Sequence, residues 1–369
     1  SVPVQQFKSC RRRGCQCVCV RSSIMQATSS PLHVEEMRSG VKVDCVDLCY
    51  SALHAGKLKR ILQGASFSLE AGDMCALMGP SGAGKSTILD LVANRKTSGV
   101  WSGTVKVDGS PRGPAFARDV AYVLQDDLHI PTLTVEETLQ YAAWVRLPEG
   151  TPPHKRQHRV DELLQMMALA HTRDCVVGSA MNKGISGGQL KRLSIAVEIV
   201  AMPRLLFLDE PTTGLDSAIA YEVMNVVRNM PSRTCLATIH QPSPHIFALF
   251  DSLILLSAGR LVYFGPAQDA VHHFSQPQLG YACEGGKNPA EFVMEVCTGQ
   301  RLPVGWAVAR QPEDLEIQYL SSRFCRPVAL SDPPSPSSPR SPRDSDGEGE
   351  YGGYVRYGLG DWWGSGESG

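Results

Sequence analysis

The chain has 369 residues, 43% of them apolar, enough for two average domains or one large domain with tails and a real core. A formal net charge of −1 leaves no global basic field, which argues against nucleic acid as a partner. No apolar run reaches the ~18 residues that a spanning helix needs, and no adequate apolar stretch follows Arg11–Arg13 to make a signal peptide.

In chain order, residues 1–38 read as a polar leader without periodicity, and the start at Ser1 rather than Met suggests a fragment or an incomplete gene model. The leader holds Cys10, Cys15, Cys17 and Cys19. Their spacing lacks the paired CxxC of a zinc site and no matching half follows, so they are read as part of a disordered tail. From Val41 the pattern changes. "VKVDCVDLCY" and "ASFSLEAG" predict β-segments, and "MCALM" predicts a short buried strand that runs into a glycine loop. "STILDLVANRK" predicts a helix with Ile88, Leu89, Leu91 and Val92 on one side. "VAYVLQ" (120–125) predicts another buried strand.

Further on, Val160, Leu163, Leu164 and Met167 recur at helical spacing, and a second helix is expected from about Ser186 through "LKRLSIAVEIV". Three apolar strands follow, "LLFLD" (205–209), "TCLATIH" (234–240) and "LILLS" (253–257), with helical material between the first two. Strands alternating with helices predict an α/β fold with a mostly parallel sheet. Beyond residue 300 the Ser/Pro/charge-rich run "DPPSPSSPRSPRDSDGEGE" and a Gly-rich end have no means of burying a core. The expected organisation is therefore a leader over 1–38, a globular domain over 39–300 and a disordered tail over 301–369.

Three motifs carry chemistry. "GPSGAGKS" fits G-x-x-x-x-G-K-[ST] between a predicted strand and a predicted helix. Gly79, Gly82 and Gly84, with Pro80, Ser81 and Ala83 between them, let successive N–H groups face one anionic centre. Lys85 then reaches the β- and γ-phosphates, Ser86 is a ligand for Mg²⁺, and Thr87 opens the helix whose positive end faces the nucleotide. "LLFLDEP" buries an apolar run and presents Asp209 and Glu210 at its end, the first for Mg²⁺ and the second to polarise a water. "GISGGQLKR" sets Ser186 as the cap of a helix followed by Gly187, Gly188 and Gln189, a second anion-receptive helix end about a hundred residues downstream.

Together with Asp216 in "GLD" and His240 after "ATI", these motifs resemble those of an ABC-type ATPase. The runs "DDLHIPTLTVEETLQYAAWVRLP", "IHQPS" and "NPAEF" make residues 41–297 similar to the G subfamily of half-transporters. The resemblance implies a P-loop NTPase of ABC type, with an antiparallel β part and a helical subdomain carrying the signature "ISGGQ". It implies ATP and Mg²⁺ as cofactors, Gln125 as a Mg²⁺ sensor, His240 against the γ-phosphate, and Tyr50 stacked on adenine.

The same resemblance implies a head-to-tail homo- or heterodimer with two ATP molecules between Lys85 of one chain and Ser186–Gly188 of the other, and Asp216 at the seam. A membrane domain, in cis or in trans, would keep the nucleotide-binding part on the cytoplasmic side of a membrane. A free-standing soluble ABC ATPase is the alternative. A GTPase would need Asn-Lys-x-Asp, and "NKGI" at 182–185 lacks the Asp. Lys85, Gln125, Glu210 and His240 argue against a catalytically dead subunit.

Overall fold

The computed structural model describes residues 40–322, apart from 55, 56, 114, 180, 181, 183, 231, 232, 306 and 307. The cysteine cluster at 10–19 and the Ser/Pro run lie outside the described residues. Strands β1 (Val43–His54) and β2 (Lys57–Leu69) form a long antiparallel hairpin. Strand β3 (Met74–Met78), buried at every position, feeds the glycine loop and helix α1 (Lys85–Val92). Strands β4 (Val100–Val107) and β5 (Ser110–Pro111) return to β1, giving one antiparallel sheet of order β2-β1-β4-β5.

After helix α2 (Phe116–Asp119) comes β6 (Val120–Val123), followed by helices α3 (Val135–Arg146), α4 (Pro153–Met166) and α5 (Gly187–Ile199). The rest alternates: β7 (Leu205–Leu208), α6 (Ser217–Arg228), β8 (Thr234–Thr238), α7 (Pro244–Phe247), then the β9 (Ser252–Ser257) and β10 (Arg260–Pro266) hairpin. Helices α8 (Ala270–Phe274), α9 (Pro289–Cys297) and α10 (Pro312–Leu320) close the described chain.

The second sheet has order β10-β9-β3-β8-β7-β6, parallel from β9 to β6, with β10 antiparallel on its edge. Its central strands are buried along their length, which is why they read in the sequence as uninterrupted apolar runs. Parallel register has a direct consequence for function. Leu77 is opposite Thr238, Ala237 opposite Leu208, and Leu208 opposite Val123, so β3, β8, β7 and β6 all deliver their following loops to one edge.

One expectation needs correction. Order does not end at residue 300: α10 docks on β10, where Tyr319 OH donates to Phe264 O at 3.0 Å and Arg260 pairs with Glu313 (3.1 Å) and Glu316 (2.6 Å). Buried Leu315 and Tyr319 supply the apolar contact of that docking.

Candidate functional site

The loop from Gly79 to Gly84 leaves β3 at the sheet edge. Gly84 has φ 102, a left-handed value that favours glycine, and a Cβ there would also press on the Leu62 side chain, 2.7 Å from its Cδ2. Gly84 is also the N-cap of α1 and contributes no side-chain capping bond, and no acidic residue occupies the first turn. The helix thus opens on N–H groups free of competing side-chain acceptors, an arrangement that suits an anion. Lys85 is 8% exposed, and its Nζ donates to Gly79 O (2.9 Å) and Pro80 O (3.1 Å) across the loop. Burial pushes its pKa down, while Glu210 and Asp209 pull it back up. Ser81, Gly82 and Ser86 are exposed at the mouth, and Thr87 is half-buried behind them.

Asp209 and Glu210 follow β7 directly. Asp209 Oδ1 accepts from Ser86 Oγ at 3.4 Å, bringing the two expected metal ligands together, and Oδ2 accepts from Tyr122 OH at 3.3 Å. An alcohol and a carboxylate oxygen this close form a hard-oxygen pair of the kind Mg²⁺ takes. Glu210 has φ 46, a left-handed conformation that is costly for a side-chain-bearing residue. Its N–H donates to Thr238 Oγ1 at 2.7 Å, and its Oε2 accepts from Thr213 Oγ1 at 2.9 Å.

Thr238 was hidden in the apolar reading of "TCLATIH". Its hydroxyl, 1% exposed as a residue, donates to Asp209 Oδ1 at 2.8 Å while accepting from Glu210 N. One side chain on β8 therefore holds the Asp209 carboxylate and the Glu210 backbone, the two positions that follow β7. No sequence signal marks it, because the role exists only through the β7–β8 register. Tyr122, which reaches from Asp90 (3.3 Å) to Asp209, was missed for the same reason.

Gln125 is exposed, because β6 stops at Val123 and not at the end of "VAYVLQ". Its backbone carbonyl accepts from Lys191 Nζ of α5 at 2.9 Å, and Lys191 also pairs with Asp127 at 2.9 Å. His240 is exposed two residues past β8, so it is not a core histidine at a strand end.

Ser186–Gln189 and Asp216 form a second locus. Ser186 caps α5 in a reciprocal box with Gln189: Ser186 Oγ accepts from Gln189 N (3.3 Å) and Gln189 Oε1 accepts from Ser186 N (2.8 Å). Asp216 caps α6, accepting from Ala218 N and Ile219 N at 3.0 Å each. The two helix ends are pressed together. A Cβ on Gly187 would touch Leu215 at 3.4 Å, and one on Gly188 would meet Ile219 Cγ2 at 2.2 Å.

Tyr50 is corrected. Its ring is 3% exposed, its OH donates to Ser98 O at 3.1 Å, and Lys96 Nζ lies over its face at 5.2 Å. No open face remains to stack on adenine.

Residues 62–213 match the ABC transporter domain family. The broad substrate specificity ATP-binding cassette transporter ABCG2 of Sus scrofa is 40% identical over 281 residues, 73% of this chain and 42% of that protein. ABC transporter G family member 26 of Arabidopsis thaliana is 40% identical over 276 residues, 72% of this chain and 40% of the relative. G family member 22 of Dictyostelium discoideum is 35% identical over 287 residues, covering 74% and 46%. The chain thus spans less than half the length of these curated relatives. Among solved structures, a dimeric post-hydrolysis state of the ATP-binding cassette MJ0796 matches with a TM-score of 0.52 at 22% identity. That match covers 61% of this chain and 98% of the cassette, and it shows the shared fold.

Proposed function

This chain carries an ABC transporter ATPase domain whose relatives are G-family transporters, and from that premise we propose that it is the motor of a half-transporter driving substrate across a membrane. The observation that carries this is the gathering of Lys85, Ser86, Gln125, Asp209, Glu210 and His240 at one edge of a parallel sheet.

ATP enters with its phosphates in the loop 79–87. Backbone N–H groups and the α1 N-terminus hold the anion, and Lys85 moves its bonds from Gly79 and Pro80 to the β- and γ-phosphates. Ser86 Oγ, Asp209 and Gln125 would hold Mg²⁺, which neutralises charge on the phosphate oxygens. Glu210 takes the proton of the attacking water. With Thr213 on Oε2, its other oxygen is left to face that water. His240 donates to the γ-phosphate as charge develops there.

The signature end at Ser186–Gln189 serves a second copy or a paralogue in a head-to-tail dimer, with Asp216 at the seam. The membrane domain meets the exposed apolar residues of the helical part, Leu128 and Ile130 after Gln125 and the α3 face of Tyr141, Trp144 and Val145. The nucleotide site then lies on the cytoplasmic side.

The test is nucleotide binding, turnover and oligomeric state of the purified full chain. Glu210→Gln should keep ATP affinity, lose turnover by about 10²- to 10⁴-fold, and accumulate as a dimer with ATP. Lys85→Ala should lose ATP binding. Wild-type turnover by the first variant or unchanged affinity in the second overturns the assignment.

A further inference from the structure

His240 stands in a short exposed stretch between two anchors. Upstream, Ile239 is 1% exposed and its N–H donates to Leu77 O of β3 at 3.2 Å. Downstream, Pro242 is buried and Ser243 caps α7, accepting from Ile246 N at 3.4 Å. Between them, Gln241 has φ 46, a left-handed backbone without glycine. Such a conformation persists only where its surroundings over-determine it.

The holding contact comes from 46 positions away. Asn288 Nδ2 donates to Pro242 O at 2.8 Å, and Oδ1 of the same amide accepts from Ala290 N at 3.1 Å as the N-cap of α9. Helix α9 is itself fixed. Glu295 binds Lys287 (2.5 Å) and Arg301 (2.9 Å), and Cys297 O accepts from buried Ser257 Oγ of β9 at 3.1 Å. Each end of the Asn288 amide has a separate task, one facing its own helix and one facing the histidine loop.

We propose that Asn288 is a positioning residue for His240: by clamping the Pro242 carbonyl to a sheet-anchored helix, it holds the strained Gln241 backbone in the conformation that presents the imidazole. The inference rests on the reading of His240 as the group that meets the γ-phosphate. It gives "IHQPS" and "NPAEF", two motifs far apart in the sequence, a single physical connection. Asn is needed at 288 because the cap requires an acceptor and the clamp a donor on two separate atoms: Asp has no donor, and Ser carries both on one oxygen that cannot occupy the Oδ1 and Nδ2 positions together.

Those two demands are separable by substitution. Asn288→Asp keeps the N-cap acceptor and removes the donor, and Asn288→Ser keeps the acceptor on a hydroxyl that stops one atom short of the Nδ2 position from which Pro242 O is reached. In the full chain, kcat for ATP hydrolysis should fall about 10- to 100-fold in both, the range for residues that orient a reacting group. KM for ATP and the melting temperature should stay close to wild type. Because Asn288 acts through His240, His240→Ala combined with Asn288→Ser should be no slower than His240→Ala alone, whereas independent sites would show additive losses.

Wild-type kcat in Asn288→Ser, additive losses in the double variant, or a joint fall of melting temperature and ATP affinity in both single variants overturns the proposal. If His240→Ala itself turns over at the wild-type rate, the reading of His240 has failed and the clamp has nothing to position.

Discussion

At the residue scale, the hydroxyl of Thr238 carries two bonds that no other atom supplies together. It donates to the Asp209 carboxylate and accepts the N–H of Glu210, whose left-handed backbone would otherwise be less firmly held. Thr238→Val keeps the β-branched shape on β8 but leaves the Glu210 N–H without its acceptor in a half-buried position, a cost of about 1 kcal/mol in stability. On the proposed roles of Asp209 and Glu210, turnover should fall by about 10- to 100-fold as the Asp209 carboxylate and the Glu210 backbone lose a shared partner. Thr238→Ser should recover most of it. The measurement is steady-state ATP hydrolysis with urea unfolding on each variant. Full turnover in Thr238→Val would show that Thr213 and the strand backbone suffice to orient the pair.

At the element scale, the α5–α6 junction is a tight contact at the signature motif, and it argues that packing by itself requires glycine at 188. Gly188→Ala would put a methyl 2.2 Å from Ile219 Cγ2, so Ile219 must turn or the helices must part. Overpacking of this kind costs about 1–3 kcal/mol, readable as a lowered urea midpoint, with ATP affinity at Lys85 kept because that site sits on α1. An unchanged midpoint would mean that Ile219 turns freely.

Elements differ in how much of themselves they print in sequence. Strands β3, β7, β8 and β9 are buried on both faces, so each appears as a bare apolar run and each was legible. Strand β4 is exposed over its first five residues, and its existence depends on pairing with β1, so local composition does not announce it. Tyr50 fails for a related reason. The β1–β2 register shifts between Leu48 and Cys49 and again between Tyr50 and Ser51, so counting alternate residues does not give the face on which the ring ends. The phosphate loop and the Asp209–Glu210 pair escape this problem because each is attached directly to the end of a strand that the sequence already reveals.

At the scale of the whole molecule, the C-terminal elements close onto the nucleotide-binding sheet through an aromatic cluster centred on His273 of α8. Its ring lies 5.2 Å from Tyr263 of β10, 4.9 Å from Phe274 and 6.0 Å from Tyr319 of α10, and the residue is 0% exposed. Burial, with a smaller contribution from His272, lowers its pKa from 6.5 to about 4. The sign of the linkage follows from that direction. A histidine with a depressed native pKa binds its proton more readily when unfolded, so it opposes folding only when the solution is acidic enough to charge it. Its contribution to stability is therefore full above pH 6.5 and is lost as pH falls from 6.5 toward 4, at a slope of about 1.4 kcal/mol per unit and a total of about 3 kcal/mol. Glu295, whose carboxyl is pulled below 4.5 first by Lys287 and then by Arg301, loses its contribution only at lower pH, as its own native value is crossed. Unfolding free energies at pH 7.5 and pH 5 should thus differ through His273 together with His129, whose pKa burial also lowers, and His273→Phe should reduce that difference. An equally steep dependence in the variant would place the acid-sensitive group elsewhere in the fold.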